Sequence, residues 1–494
     1  MKLFERIGAA MKYAATGKLS ASAFDGAMQS RRLIAWKATQ ENLNTLLASG
    51  GDLLRARARQ IVRSNPYAAN AADSFVANAV GSGIKPSPLI QDVEIKKALQ
   101  KTWLAWTDEA DADGLTDFYG LQAMAARAMF EAGECFIRFR PRRPEDGLTV
   151  PLQLQLLEAE HLPFNKTGTD ANGNTIRCGI EFDKIGKRVA YHFYRNHPGD
   201  STNRNGNKEI VRVPASEVLH IYRPQRPGQI RGVPWISPAM VKLYFLDQYD
   251  DAELDRKKVA ALFAGFITKN APEDNILGEG TPDGAGSAIA GLSPGTMQVL
   301  LPGEDIKFSS PADVGGSYET FQYRTLLAIC AAMGMPYTNV TGDLKAANYS
   351  SIRSGTVEFR RRLEQFQHTT LVYQLCRPVW LRWMQTAAMS GAVAMPNFSR
   401  DPDLYTEVKW ITPKWEWVDP LKDRQAEKIA QECGWKAPSD IIESEGYDVD
   451  ETYQRIAADQ RRADELGIRL GKPGKQQLIK PDLEPSDKTD EGSS

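Results

Sequence analysis

Three aspartates, Asp247, Asp250 and Asp251, are the residues whose type and spacing come nearest to a chemical site. On a helix, residues three and four positions apart share a face, so these carboxylates could bind a divalent metal and cleave nucleic acid with it. The next two turns carry five further charges: Glu253, Asp255, Arg256, Lys257 and Lys258. Basic side chains this close to carboxylates favour a simpler interpretation, which is salt bridging along the helix.

Other catalytic signatures are missing from the sequence. It has no Walker-type phosphate loop, no His-Glu-x-x-His pair and no Gly-x-Ser-x-Gly turn. The five histidines do not cluster, and no two of the five cysteines form a Cys-x-x-Cys pair. We therefore expect no catalysis, no metal site and no cofactor. The chain is predicted to be a structural or binding protein.

The overall charge argues against a protein that grips nucleic acid tightly. The chain has 61 basic and 62 acidic residues among its 494, whereas strong phosphate binders carry a basic excess. Its length predicts about two to four structural regions. The longest apolar runs, such as Val259–Ile267, are far shorter than a membrane span, so we expect no membrane segment.

The N-terminal half has the pattern of helices followed by strands. Residues 1–49 are loosely patterned, which fits either an arm that orders on assembly or a disordered segment. Helices are predicted within 52–78, restarting at Asn65-Pro66, and at Ile95–Trp106 and Gly120–Ala132. Alternating side chains predict strands at Glu134–Arg140, Leu152–Leu157, 179–183 and 189–194. Residues 130–225 are therefore mostly β, within a mixed α+β fold.

Four arginines, Arg55, Arg57, Arg59 and Arg63, crowd into the first of these helices. The favoured interpretation is a solvated helix face. The alternative is contact with a neighbouring subunit or with nucleic acid.

Two long helices and an insert between them dominate the next part of the chain. Ser237 is predicted to cap the first helix, which runs to about Phe263, and the second helix spans Tyr318–Met333. The charged middle of the first helix is poorly suited to a monomer core and suits packing beside copies of itself. The insert is predicted as a loop over 270–295 and two short strands, Thr296–Leu301 and Asp305–Phe308.

A short polar loop over Tyr337–Asn348 follows, punctuated by Gly342. Apolar residues then recur on one face of a long helical segment: Ile352, Phe359, Leu363 and Phe366. Pro378 is predicted to bend or break that segment. Beyond it, Asp419–Glu465 is predicted to be helical and highly charged, and 471–494 to be a disordered tail.

Six stretches, in this order and spacing, resemble the portal proteins of tailed bacteriophages, in the lambda-like branch. They are NPYAANAADSFVANAVGSGIKP (65–86), AGECFIR (132–138), LLEAEHL (156–162), VPASEVLHIYRPQRPGQIRGVPWISPAM (213–240), DQYDDAELDRKKVAALFAGFI (247–267) and MGMPYTNVTGDLKAANYSSIRSGTVEFRR (333–361). The resemblance covers most of residues 50–385. The first 50 residues and those beyond about 420 match far less.

The resemblance implies a ring, usually of twelve subunits, at one vertex of the phage head. Double-stranded DNA passes through its channel during packaging and ejection. The expected partners are other copies of the chain, the terminase large subunit, the major capsid and scaffold proteins, and head–tail connector proteins. The expected location is the portal vertex of the virion, and the host cytoplasm during assembly.

The resemblance also implies a portal fold with named regions. An N-terminal arm would span 1–49, a wing 50–235, a stem helix 236–263, a clip 264–316 and a second stem helix 317–333. A channel loop would span 334–350, a long helix returning to the wing 351–418, a helical crown 419–470 and a tail 471–494.

Two sets of site residues follow from this placement. Residues expected to line the DNA channel are Thr341, Asp343, Lys345 and Asn348, and residues expected to contact a neighbouring subunit along the stem are Asp250, Glu253, Arg256, Lys257 and Lys258. The alternatives are a metal-dependent nucleic-acid enzyme using the acidic helix 247–255, or another structural protein of the phage neck.

Overall fold

The computed structural model of the chain describes residues 35, 37–201, 209–261, 265–269, 304–308, 317–345, 349–413 and 420–468. The predictions for residues 1–34, 270–295, Thr296–Leu301, Asn348 and 471–494 lie outside these residues. Within the described part of the chain, no helix combines the length and the apolar character that a membrane span requires.

Four helices open the described chain: α1 (Leu43–Ser64), α2 (Pro66–Ala79), α3 (Val93–Thr107) and α4 (Phe118–Glu131). Asn65 separates the first two, because its Oδ1 accepts hydrogen bonds from the backbone N–H groups of Tyr67 and Ala68. Pro66 occupies the first helical position, where its missing N–H costs nothing. The predicted restart at Asn65-Pro66 is confirmed.

Two antiparallel sheets follow, as the alternating pattern predicted. One has the order β3 (Leu152–Glu158), β2 (Glu134–Pro141), β9 (Val218–Tyr222). The other has five strands in sequence order: β4 (Gly168–Thr169), β5 (Thr175–Arg177), β6 (Ile180–Phe182), β7 (Arg188–Tyr194) and β8 (Ile210–Pro214). Short 3-10 turns lie at Pro144–Asp146, Ala159–His161 and Ala215–Glu217. The mostly β character of residues 130–225 is therefore confirmed.

A third, two-stranded sheet joins distant parts of the sequence. Strand β1 (Lys85–Pro88) pairs antiparallel with β12 (Val408–Ile411). Nearby, Trp103, Trp106, Trp380 and Trp383 pack around one another with ring centroids 4.9–6.2 Å apart. All four are buried, as expected for packing residues, and they fix the C-terminal part of the main core against α3.

Two long helices, α5 (Met240–Ala261) and α6 (Ser317–Met333), lie side by side. Between them in sequence, β10 (Gly265–Lys269) pairs antiparallel with β11 (Glu304–Phe308), which confirms the second predicted strand. The predicted cap at Ser237 is wrong. The backbone from Trp235 to Ala239 forms turns, with Ser237 N donating to Pro234 O, and the helix begins at Met240, two residues after the predicted first helical position.

The polar loop is shorter than predicted. Residues Tyr337–Thr341 form a helical turn, α7, which starts after Pro336 and ends at Gly342 with φ of 72°. Val340 is buried, and the Asn70 side chain donates to the carbonyls of Asn339 and Val340 from helix α2. The first half of the predicted loop is therefore bound to the helical core. The sequence of the loop could not predict this contact, because its acceptors are backbone carbonyls, which every residue has.

The long helical segment after the loop is continuous. It comprises α8 (Tyr349–Phe366), a π-helix (Gln367–Cys376) and α9 (Arg377–Ser390). Phe359, Leu363 and Phe366 are buried on the predicted face, with Ile352 half-buried. The segment does not break at Pro378, so that part of the prediction is wrong, while the alternative of a bend stays a prediction. A π-helix bonds each N–H one residue further back, so a proline at its end meets an already altered bonding pattern.

The chain then passes through α10 (Asp403–Thr406) and β12 to three charged helices: α11 (Pro420–Glu432), α12 (Pro438–Ser444) and α13 (Val449–Glu465). Polar contacts attach them to the preceding core. Arg353 pairs with Asp423 at 3.1 Å, and Lys409 pairs with Glu443. The Ser87 hydroxyl donates to Asp448, and Lys96 pairs with Asp450. The predicted helical character of Asp419–Glu465 is confirmed for the described residues 420–465.

Candidate functional site

Helices α5 and α6 are joined by an aromatic and hydrogen-bonded contact. Tyr249 of α5 stacks on Tyr318 of α6 at 5.9 Å between ring centroids and meets Phe321 edge-on at 4.9 Å. Asp250 accepts hydrogen bonds from the Tyr318 hydroxyl at 2.9 Å and from Gln322 at 3.1 Å. Burial, followed by the bond to Asp250, raises the pKa of Tyr318 to about 12. Asp250 therefore fixes the two helices to each other.

Five charged residues in the second half of α5, from Glu253 to Lys258, pair with one another within the helix. Arg256 donates to both oxygens of Glu253, at 2.6 and 2.9 Å, and this contact lowers the pKa of Glu253. Lys257 approaches Glu253 at 3.8 Å and lies over the Tyr318 ring, while Lys258 pairs with Asp255 at 3.1 Å. Lys257 and Lys258 remain 61% exposed. The expected contacts of these residues with a neighbouring subunit stay a prediction.

The three aspartates that suggested a metal site do not come together. Asp247 lies 3.4 Å from the Asn65 side chain, Asp250 bonds Tyr318, and Asp251 is exposed. Within the described part of the chain, the three side chains close enough to share a metal are instead Glu158, Glu160 and His197. Arg59 already donates to both oxygens of Glu160, at 2.9 and 3.0 Å. The guanidinium of Arg59 therefore supplies, beside Glu160, the positive charge that a metal ion would supply.

The residues expected to line a channel lie around Gly342. Thr341 ends α7, and its hydroxyl donates to Tyr337 O and accepts from Asp343 N. The Asp343 carboxylate accepts from Lys345 N at 2.9 Å, which folds the chain into a tight turn. The Lys345 side chain is exposed. These contacts fix the base of the loop and leave Lys345 available to a ligand.

The end of α6 is built around Gly334, which has φ of 71°. A Cβ at this position would lie 2.4 Å from Nη1 of Arg362, so the absence of a side chain lets the guanidinium cover the helix end. A cation at a helix C-terminus is favourable, because the last carbonyls carry partial negative charge.

We predict that Gly334→Ala destabilises the chain by about 1–2 kcal/mol, through backbone strain and displacement of Arg362. Gly391→Ala is the matched control. Gly391 ends α9 with φ of 75° and has open space at the Cβ position, so its variant reports backbone strain alone. Denaturant unfolding should show a larger loss for Gly334→Ala, and equal losses would contradict the role assigned to Arg362.

A buried charge network, which the sequence did not reveal, holds the first sheet to α1. Glu134 is fully buried and accepts hydrogen bonds from Arg231 Nε at 2.8 Å, His220 Nε2 at 3.0 Å and Gly232 N at 2.7 Å, with Arg55 at 3.4 Å. Burial alone would raise the pKa of Glu134, but Arg231 and His220 hold it well below its usual range. Burial lowers the pKa of His220 to about 4.

The arginine cluster of α1 therefore divides between two environments. Arg55 is buried at Glu134, and Arg59 pairs with Glu131, Glu158 and Glu160. Arg57 and Arg63 are exposed. A uniformly solvated face is thus wrong for two of the four residues. Their spacing of four places Arg55 and Arg59 on the side that packs against the sheet.

A helical and antiparallel framework, with two long paired helices and a polar turn beyond the second, matches the architecture expected of a phage portal protein. The model of the lambda family of phage portal proteins matches residues 29–367, so the chain belongs to this family.

Named relatives agree with this assignment. The chain is 27% identical over 462 residues to the probable portal protein of Halomonas phage phiHAP-1, covering 90% of this chain and 87% of that one. It is 23% identical to the portal protein of Escherichia phage N15 and to portal protein B of Escherichia phage lambda, in each case covering 87% of both chains.

Solved structures with a similar chain come from gene transfer agent (GTA) particles. The neck of an empty particle, computed with C6 symmetry, is 15% identical with a TM-score of 0.46 and covers 81% of this chain and 94% of that one. The neck of the native particle, computed with C12 symmetry, is 14% identical with a TM-score of 0.45, covering 79% and 93%.

Proposed function

We propose that this phage portal protein assembles into a ring of about twelve copies at one vertex of the capsid. Genomic DNA enters and leaves through the central channel, and the ring docks the terminase large subunit during packaging and head–tail connector proteins afterwards. Major capsid and scaffold proteins surround it during assembly. Membership of the lambda portal family supports this proposal. The terminase, connector, capsid and scaffold partners are part of the proposal.

The observation that carries ring assembly is unpartnered apolar surface. Among the described residues of α11 to α13 and their connections, Ala463 is the one buried apolar side chain. Large apolar side chains lie exposed there: Leu421, Ile429, Trp435, Tyr447, Tyr453, Ile456, Leu466 and Ile468. Trp435 is 80% exposed. Helices this poor in buried apolar area gain stability by packing against other copies.

Helix α5 supports the same proposal. Val241, Tyr244, Phe245 and Leu254 are each more than half exposed. In a ring, these side chains and the exposed lysines of α5 would meet the adjoining copy. We assign α5 and α6 to the stem, the paired strands β10 and β11 to the clip, α11 to α13 to the crown, and the segment around Gly342 to the channel loop.

Electron microscopy of the purified chain tests the proposal. Negatively stained particles should be rings whose rotational symmetry can be counted, and light scattering should give the corresponding mass. Trp435→Ser and Leu421→Ser together should reduce the ring fraction, while the matched exposed-residue change Leu115→Ser, in the α3–α4 connection, should not. A chain that stays monomeric even with its capsid proteins would overturn the proposal.

We predict that Lys345→Glu impairs DNA packaging or retention while leaving rings intact. The exposed Lys345 lies on the turn fixed by Asp343, and about twelve reversed charges in one channel would repel the phosphates passing it. Packaged DNA per particle is the measurement. Lys184→Glu, on an exposed turn of the β-rich region, is the control. Normal phage yield from Lys345→Glu would remove this residue from the channel.

We also predict that reversing Lys257 and Lys258 together to Glu weakens the ring. The change places two more negative charges among Asp251, Glu253 and Asp255 on α5. These charges would repel the acidic side chains of the adjoining stem in a ring. Ring fraction at rising salt is the measurement, and circular dichroism checks that the helices persist. Lys97→Glu with Lys101→Glu on α3 is the control. Unchanged assembly would place these lysines away from the interface.

A further inference from the structure

A cleft of about 750 Å³ opens at the base of the paired helices. Four elements form it: the segment 223–225 after β9, the turn before α5, the end of α6, and the middle of the long helical segment.

Two arginines face this cleft without a carboxylate between them. Arg223 lies over the Trp235 ring with 4.3 Å from Cζ to the centroid, and Arg362 lies beside Gly334. Burial and then the charge of Arg362 lower the pKa of Arg223. Among the described residues that line the cleft there is no aspartate or glutamate. Glu358 pairs with Arg362 at 3.3 Å but is 60% exposed and lies outside the lining.

Both side chains are exposed, so water screens much of their mutual repulsion, but two cations over one cleft still attract an anion into the space between them. Guanidinium groups bind carboxylates and phosphates with paired hydrogen bonds, and both arginines present theirs to the same space. The cleft is therefore suited to an anionic ligand.

The remaining walls indicate what else the ligand carries. Trp235, Pro238 and Ala331 supply accessible apolar surface in the cleft that the two guanidinium groups face, whereas Met333 and Phe366 are buried. A DNA duplex presents phosphates on the outside of a wide rod, and it cannot place an apolar group against these side chains. A peptide with an apolar side chain between carboxylates can fill both parts of the cleft at once.

Such a sequence lies at the C-terminus of this chain. Residues 481–494 read PDLEPSDKTDEGSS, with five carboxylate side chains and one lysine, and Leu483 stands between Asp482 and Glu484. The described chain ends at residue 468, which leaves 12 residues before this segment. Extended, such a connection spans up to roughly 40 Å. The negative charge of this segment and its single leucine fit the cationic and apolar parts of the cleft.

We propose that the cleft at Arg223, Trp235 and Arg362 is a peptide-binding site for the acidic C-terminal segment 481–494. This inference does not depend on ring formation, because the cleft lies within one chain.

The test uses the full-length chain carrying Asp482→Asn and Glu484→Gln, which vacates the cleft, and a fluorescent peptide of sequence 481–494. Fluorescence anisotropy measures binding. Arg223→Met or Arg362→Met should weaken binding about tenfold or more, as loss of a charge-assisted bond implies. Arg361→Met is the matched control, since Arg361 is exposed, is adjacent in sequence and does not line the cleft.

A charge exchange guards against variants that merely misfold. A peptide with Asp482→Lys and Glu484→Lys should bind the Arg223→Glu chain better than the native peptide does. Equal peptide binding by the Arg223→Met, Arg362→Met and Arg361→Met chains would overturn the proposal. So would displacement of the peptide by inorganic phosphate or by a short DNA duplex of equal charge, which would identify a general anion site or a nucleic-acid site instead.

Discussion

Glu134→Gln is expected to destabilise the β-rich region by about 3–5 kcal/mol, because it leaves two guanidinium groups buried without their counter-charge. The substitution preserves shape, so the loss measures charge and hydrogen bonding rather than packing. Arg231 would keep its bonds to the carbonyls of Cys178 and Leu162, at 2.8 Å each, but lose the carboxylate. Hydrogen exchange of the β2 amides should accelerate about 100-fold or more.

Glu209→Gln is the matched control for this prediction. Glu209 pairs with Arg195 at 3.3 Å, and both side chains are more than half exposed. An exposed pair of this kind contributes about 0–1 kcal/mol, so the control should leave exchange nearly unchanged. If Glu134→Gln behaves like Glu209→Gln, the network is not a stabilising element and its charges are compensated in another way.

Acid is expected to weaken the same region in two stages. His220 has its pKa lowered to about 4 by burial, against about 6.5 in an unfolded chain. The unfolded chain therefore binds the proton first, and stability falls by about 3 kcal/mol as pH decreases from about 7 to 4. Glu134 has its pKa lowered too, so its stabilisation is complete above about pH 4.3 and declines below that value.

The measurement is the free energy of unfolding of this region as a function of pH, between pH 7 and 4.5. Hydrogen exchange of the β2 and β9 amides is the readout. His220→Gln keeps a donor for Glu134 and removes the titrating ring, so it should flatten most of this dependence. His368→Gln, at an exposed position of the π-helix, should leave it intact. A His220→Gln chain with the original slope would show that other groups cause the acid sensitivity.

Helices and strands were predicted correctly where a few neighbouring residues determine them. Asn65-Pro66 marked a helix start because capping involves only neighbouring residues. The alternating strands and the buried face of Phe359, Leu363 and Phe366 followed from periodicity. At both Ser237 and Pro378 the local rule failed because the neighbouring backbone is not a regular α-helix. Turns surround Ser237, and π-helical bonding precedes Pro378.

The site was less predictable than the fold. The Glu134 network joins residues 55, 134, 220 and 231, and no spacing in the sequence links these positions. The same holds for Asn70, whose contact with α7 shortens the polar loop. The sequence signal was Glu134 itself, which begins a strand and directly precedes the apolar run Cys135–Ile137, because a buried carboxylate requires cationic partners elsewhere.

The pairing of β1 with β12 also sets an order of events during synthesis. Pro88 and Val408 lie 320 positions apart. At ribosomal speeds of about 5–20 residues per second, the first strand waits roughly 15–60 s for its partner. An unpaired strand exposed that long is a site for wrong association. Two of its four residues, Pro86 and Pro88, lack an N–H to donate, so the strand is a poor template for foreign pairing until residues 408–411 arrive.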